Sequence, residues 1–174
     1  WGKQDAYHHP KYDPFWAACE EMEVVINFHS GPAPMEDYGE GQGMVGIYIS
    51  EVAWWLVRPL TFMIWGGVFE RFPGLRVAIT EGTAVWVPEY LQLLDFRYED
   101  TPYSAKLGDY TSHMRSKPSE YFARNVLLGA SCMPRREAEM RHAIGVDQIA
   151  WGSDYPHPEG TWPHTAEHMR DTFR

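Results

Sequence analysis

The 174-residue sequence contains few cysteines and few basic residues, and each shortage excludes a class of protein. Cys19 and Cys132 are the only cysteines, and neither has the spacing of a structural zinc site. Two buried, reduced thiols are typical of a cytoplasmic protein, which is the compartment we expect. Asp and Glu (24) outnumber Lys and Arg (15), giving a formal net charge of −9. An acidic chain without a basic cluster argues against nucleic acid and anionic membranes as partners.

The sequence also lacks a long uninterrupted apolar run. Its most apolar stretch, residues 52–69, is interrupted by Arg58-Pro59 and Gly66-Gly67, which predicts a buried, kinked helix rather than a membrane span. The N-terminal residues have no apolar segment of the kind that a signal peptide requires. Because the chain starts at Trp1 without a methionine, we expect further sequence upstream.

Four short apolar runs alternate with segments of helical periodicity. Strands are predicted at 24–28, 75–80, 125–128 and 148–151, and helices at 14–22, 51–72, 86–98, 134–144 and 164–173. We also expect a helix break near Pro59, a long loop at 32–46 and irregular structure at 99–120. Apolar strands that alternate with helices are typical of a parallel sheet covered on both faces. The predicted fold class is therefore α/β, in a single domain.

A residue that can bind metal or move a proton follows three of the four predicted strands. These residues are His29 after VVINF, Glu81 after RVAIT and Asp154 after IAWGS. In a parallel β/α barrel the carboxyl ends of the strands meet at one mouth, where active sites are built. One imidazole and two carboxylates there would suit a divalent cation such as Zn²⁺. Taken alone, His29 is more often a hydrogen-bonded core or loop residue, Glu81 a helix cap and Asp154 a cap or turn residue, so the hypothesis depends on their coincidence.

Three segments, INFHSG, FERFPGLRVAITEG and above all WGSDYPHPEGTWP, resemble the amidohydrolase superfamily, specifically its aminocarboxymuconate-semialdehyde decarboxylase-like members. The resemblance implies a (β/α)8 TIM barrel of which residues 1–174 form the C-terminal half, about strands five to eight. It implies that His29 and Asp154 bind the metal and that Asp154 also acts as acid or base. Glu81 stands where many members have His followed by Gly, so its role as catalytic carboxylate, ligand or structural group stays open.

The family's His-x-His metal ligands are absent from the sequence. Since a TIM barrel typically needs about 250 residues, the resemblance implies that the first four β/α units lie upstream of Trp1. The expected cofactor is a divalent metal ion, with zinc as first choice and manganese or another divalent ion as alternatives. The expected partners are a small-molecule substrate and either further copies of this chain or the missing N-terminal half.

The predicted activity is hydrolysis of a C–N or C–O bond by metal-activated water. One alternative is non-oxidative decarboxylation of an aromatic or unsaturated carboxylic acid, with Asp154 delivering a proton to the carbon that loses CO₂. Another is a non-catalytic half-barrel, a fragment or assembly module whose open sheet edges pair with another chain. His157 and Trp162 are candidate substrate-binding residues, although both could instead be structural.

Overall fold

The three-dimensional structure is a computed structural model that describes residues 4–29, 31, 38–100 and 105–174. At its centre lies a parallel sheet whose four strands are adjacent in chain order. The strands are β1 (Val25–His29), β2 (Arg76–Thr80), β3 (Val126–Ser131) and β4 (Ile149–Gly152). All four predicted strands are confirmed to within three residues at each end, and so is the α/β class.

Helices precede β1 and follow each strand. They are α1 (Asp13–Glu21), α2 (Met44–Trp65), α3 (Val68–Arg71), α4 (Val87–Glu99), α5 (Pro118–Asn125), α6 (Arg135–Glu139), α7 (Arg141–Ile144) and α8 (Thr165–Thr172), with short 3-10 turns at Pro10–Tyr12 and Val146–Gln148. The predicted helix at 134–144 is thus two short helices separated at Met140. Of the predicted loop at 32–46, residues 32–37 lie outside the described residues, and its last three belong to α2.

The predicted break at Pro59 is wrong, because α2 continues through this residue to Trp65. Proline removes one helical hydrogen bond, but Leu56 and Leu60 on either side are buried in the core and hold the helix in place. The helix ends instead at Gly66-Gly67, where Gly67 adopts a left-handed conformation with φ 67° that glycine reaches without steric cost.

The prediction of irregular structure at 99–120 is wrong in its last part, where α5 begins. Pro118 occupies the first turn of this helix, in which its missing N–H is not needed. Glu120 reaches back so that its Oε2 accepts a hydrogen bond of 2.7 Å from the backbone N–H of Lys117. This capping interaction starts the helix that leads directly into β3.

The two faces of the sheet differ in their surroundings. Val77, Ile79 and Leu128 point to one face and belong to the core shared with the helices. On the other face, Val25 and Leu127 are 44% and 37% exposed. Coverage on both faces is therefore a wrong prediction for the described part of the chain. This arrangement is that of a barrel wall, whose inner face is filled by side chains from facing strands.

Among the described residues, α2 is the one helix long and apolar enough to cross a membrane by length and composition alone. A core helix passes the same test, and the second half of α2 contributes Leu60, Met63 and Ile64 to the core. In its first half Val45 and Ile49 are exposed. The absence of a membrane partner stays a prediction.

Candidate functional site

The carboxyl ends of β2, β3 and β4 surround an open cavity of about 340 Å³. Just after each strand the chain turns through a residue with positive φ: Glu81 (57°), Cys132 (49°) and Asp154 (60°). Residues other than glycine rarely adopt this conformation, and they do so mainly where the surrounding structure enforces it, often at functional sites. All three line the cavity.

His29 and Glu81 are neighbours at this end of the sheet. The register of β1 and β2 pairs His29 with Thr80, so Glu81 follows at the next position. Nε2 of His29 lies 3.0 Å from Oε2 of Glu81. The backbone N–H of Glu81 donates a 3.2 Å hydrogen bond to the carbonyl oxygen of Gly129 on β3, which fixes the start of the turn.

Asp154 lies in a compact loop after β4. The backbone N–H of His157 donates to the carbonyl oxygen of Asp154 at 2.9 Å, and that of Gly160 donates to the carbonyl oxygen of His157 at 3.0 Å. A Cβ on Gly160 would lie 2.9 Å from the carbonyl oxygens of Ser153 and Asp154, so this position requires glycine. The loop closes on itself and returns the chain towards Asp154.

As a result, Asp154, His157 and Glu159 form a group of potential metal ligands. One side-chain ligand atom from each lies within 4.8 Å of the others. The hydrogen bond to Glu159 raises the pKa of His157, and the charge of Asp154 acts in the same direction. The pKa of Glu159 is lowered by its own backbone amide and then by His157. These carboxylates favour positive charge here, whether it is a proton on His157 or a cation.

The predicted site residues lie at or after the carboxyl ends of β1, β2 and β4, but His29, His157 and Trp162 are not among the described residues that line the cavity. Glu81 and Asp154 line one cavity, and His29 contacts Glu81. Trp162 is 67% exposed, and its ring packs edge-on against Tyr155 with a centroid distance of 5.7 Å. The roles assigned to these residues stay predictions.

Three residues at the cavity were not predicted as site residues from the sequence. Glu159 approaches Asp154 only because the loop closes through backbone hydrogen bonds, although the glycine after it is a signal of a tight turn. Glu137 has the appearance of an exposed residue of an amphipathic helix, yet it is 1% exposed. Cys132 is a free thiol, partly buried rather than fully buried as expected. Burial, and then the charges of Asp154 and Glu159, raise its pKa, which disfavours the thiolate needed for metal binding.

The donors gathered at the cavity fit a divalent metal ion with nitrogen and oxygen ligands. Imidazole nitrogen and carboxylate oxygen both suit Zn²⁺, and carboxylates also suit Mn²⁺. His29 and Glu81 already place a nitrogen and an oxygen donor 3.0 Å apart, a spacing that two ligands of one ion adopt. Asp154 lines the same cavity as Glu81, and its carboxylate lies close to the ligand atoms of His157 and Glu159.

A parallel sheet whose strands alternate with helices, with polar side chains at its carboxyl ends, has the architecture of the wall of a β/α barrel. The model of the Amidohydrolase family matches residues 1–174, and the chain belongs to this family. The predicted family membership is therefore confirmed. Among curated proteins no sequence gives a significant match.

Solved structures with a similar fold include several enzymes. An amidohydrolase from Mycobacterium avium subsp. paratuberculosis has a TM-score of 0.72 and 23% identity, and the match covers 95% of this chain and 42% of that protein. 5-Carboxyvanillate decarboxylase from Sphingomonas paucimobilis has a TM-score of 0.72 and 23% identity, and the match covers 97% of this chain and 49% of that protein. A third structure is dihydroxybenzoic acid decarboxylase from Polaromonas sp., with bound manganese and the inhibitor 2-nitroresorcinol. Its TM-score is 0.69 at 20% identity, and the match covers 96% of this chain and 49% of that protein.

The chain therefore spans less than half the length of these three structures. The four parallel strands found among its described residues are half of the eight that a TIM barrel contains. The predicted half-barrel fold is confirmed by this coverage.

Proposed function

We propose that the protein to which this chain belongs is a metal-dependent decarboxylase of an aromatic or unsaturated carboxylic acid. The observation that carries the proposal is the placement of three potential ligand groups at the carboxyl ends of the strands. Nε2 of His29 lies 3.0 Å from Oε2 of Glu81, and Asp154 lines the same cavity as Glu81. Hydrolysis was the first expectation from sequence, but the similar structures that are named as decarboxylases favour the alternative.

In this proposal His29 and Asp154 hold a divalent ion, with Glu81 as a further ligand or as the group that orients the imidazole of His29. The manganese bound to the Polaromonas enzyme makes Mn²⁺ the first ion to test, ahead of zinc. When bound, the ion supplies positive charge that grips a carboxylate or phenolic oxygen of the substrate.

Asp154 handles the proton in the proposed reaction. When the bond between the ring carbon and the carboxylate breaks, CO₂ leaves and the bonding electron pair stays on the ring carbon. A proton then replaces the carboxylate on that carbon. A carboxylic acid within reach can deliver this proton. Asp154 is suited to this role because it lies at the cavity on a loop closed by backbone hydrogen bonds.

Hydrolysis of a C–N or C–O bond is the second candidate. The family match and the amidohydrolase from Mycobacterium avium support it. In that reaction Asp154 would accept a proton from the attacking water instead of giving one to carbon. The same residues would serve both reactions, and the site of protonation would differ.

Either activity needs the rest of the barrel. In the described chain β1 and β4 each have one neighbouring strand, so each leaves an edge for another segment to join. An N-terminal half that completes the barrel is the proposed occupant of these edges and the proposed source of the remaining metal ligands. Pairing with a second copy, and a half-barrel without catalytic activity, remain alternatives for the chain alone.

The test uses the protein encoded by the complete gene, stripped of metal with a chelator and reloaded with Mn²⁺ or Zn²⁺. It is incubated in D₂O with 5-carboxyvanillate and 2,6-dihydroxybenzoate, and in parallel with lactones and amides. The expected result is metal-dependent CO₂ release with one deuterium at the vacated ring carbon. Metal-dependent lactone or amide cleavage without CO₂ would replace decarboxylation by hydrolysis, and activity that survives complete metal removal would contradict both.

A further inference from the structure

The buried carboxyl group of Glu137 connects α6, the helix after β3, to the turn after β2. Glu137 lies on α6, which follows β3, and only 1% of its surface is exposed. Its Oε1 accepts a 2.8 Å hydrogen bond from the backbone N–H of Ala84, in the turn after β2. Ala84 is fully buried and stands three residues after Glu81. Glu137 also lines the cavity together with Glu81 and Asp154.

The turn that Glu137 contacts needs to be held in place. Glu81 at its start has φ 57°, a left-handed conformation that persists only where the surroundings enforce it. Gly82 is packed so tightly that a Cβ would lie 2.8 Å from Cδ1 of Leu56. The backbone N–H of Glu81 is bonded to β3, while the bond to Glu137 ties the other end of the turn to α6.

We propose that Glu137 is a positioning residue, which fixes residues 81–84 through the Ala84 amide and so holds the Glu81 carboxylate beside His29. The inference rests on the proposed function in that Glu81 helps to bind the metal. The hydrogen bond needs an acceptor and no charge. Burial raises the pKa of Glu137, so the site already disfavours its ionised form. Glutamine, whose Oε1 can accept the same hydrogen bond, should therefore replace it.

The experiment compares E137Q, which keeps the acceptor, with E137M, which removes it at similar length. Both are made in the full-length protein, alone and combined with E81Q, and Mn²⁺ affinity is measured by calorimetry. We expect E137M to weaken Mn²⁺ binding by about 10-fold or more, as is usual when a group that orients a ligand is lost. E137Q should stay within about 3-fold of the wild type. In the E81Q background E137M should have no further effect, because Glu137 acts through Glu81.

The matched control is E139M on the same helix, since Glu139 is exposed and pairs only with Arg135 among the contacts described for it. It should leave Mn²⁺ affinity unchanged. Hydrogen exchange of the Ala84 amide is a second readout, and protection should be lost in E137M and kept in E137Q.

Three outcomes would overturn the proposal: equal losses in E137M with and without E81Q, a loss in E137Q as large as in E137M, or an unprotected Ala84 amide in the wild type. If E137M does not fold, E137Q and the wild-type exchange rate still decide. If the wild type binds no Mn²⁺ while E137M still loses protection of the Ala84 amide, the proposed metal function is wrong and the contact between Glu137 and the turn is retained.

Discussion

The two ends of the sheet are built on different principles. At the amino ends of the strands, Asn125 is fully buried and its Nδ2 donates to the carbonyl oxygens of Pro73 (3.0 Å) and Leu75 (2.8 Å). At the carboxyl ends, Glu81 and Asp154 hold left-handed backbone conformations and line an open cavity. Polar groups at the first end satisfy the backbone of the same chain. Those at the second end face a space that a ligand can enter.

Charge is distributed in the same unequal way. At the amino end, Glu70 accepts a hydrogen bond from Tyr121 and pairs with Arg115. At the carboxyl end four acidic residues line one cavity, namely Glu81, Glu137, Asp154 and Glu159. No Lys or Arg is among the described residues that line it. An acidic cavity without a basic lining residue attracts cations. The carboxyl end is therefore suited to binding, so substitutions there should change binding or turnover more than stability, whereas substitutions at the amino end should change stability.

The largest effect is expected for D154N in the full-length protein. Loss of the proton-transferring group should lower turnover by about 10²- to 10⁴-fold, while the melting temperature stays within about 2 °C because Asp154 is not part of the core. Steady-state kinetics and thermal unfolding measure the two quantities. D171N is the control, since Asp171 is exposed on α8 and pairs with Arg174. An active D154N enzyme would remove Asp154 from the chemistry.

At the opposite end, N125A should have its effect on stability. It leaves the carbonyl oxygens of Pro73 and Leu75 without this donor, and because the bond to Leu75 is buried the loss costs about 1–3 kcal/mol in the free energy of unfolding. Q148A is the control, because Gln148 makes one 2.9 Å bond to the carbonyl oxygen of Ala123 from a partly exposed position. Denaturant unfolding measures both variants. If N125A instead changed metal affinity with stability intact, the division between the two ends would be wrong.

A smaller effect is expected for G160A in the loop that carries Asp154. The added Cβ meets carbonyl oxygens at 2.9–3.0 Å, so the backbone must shift. We expect Mn²⁺ affinity to fall by about 10-fold, with a stability cost of about 1–2 kcal/mol. In G152A the nearest atom is 3.5 Å away, an ordinary contact, and calorimetry should show little change. Equal effects of the two variants would mean that the fit at Gly160 is not what positions Asp154.

Sequence analysis predicted the parts of the site that depend on local pattern. His29, Glu81 and Asp154 each follow an apolar strand, and parallel strands necessarily bring their carboxyl ends to one edge. Contacts made through loop closure or tertiary packing have no such signal. Glu159 reaches Asp154 through backbone bonds, and Glu137 is buried because its short helix packs against the turn after β2.

Helix boundaries show the same limit. Proline predicts a break in α2, but burial of Leu56 and Leu60 outweighs the hydrogen bond lost at Pro59. For α5 the signals are local: Pro118 stands in the first turn, and Glu120 caps it through Lys117. The helix is only eight residues long and runs directly into β3, so its buried Tyr121 and Phe122 are difficult to separate from the apolar strand that follows.

The smallest effect that separates the two ends is their dependence on pH. The hydrogen bond from Tyr121 lowers the pKa of Glu70, so its contribution to stability is complete above the unfolded-state pKa of about 4.3 and is lost as the pH falls through the folded-state value. Burial raises the pKa of Glu137, so its contribution is complete below about 4.3 and is lost as the pH rises through the folded-state value.

Denaturant unfolding of the metal-free protein across this pH range should therefore separate two variants. E70Q should remove part of the stability loss on acidification, a change below about 1 kcal/mol because the ion pair with Arg115 is at the surface. E137Q should instead flatten the decline above pH 4.3 and leave the acid limb unchanged. If E137Q altered the acid limb, Glu137 would ionise more readily in the folded protein than in the unfolded chain. The burial argument for this end of the sheet would then be wrong.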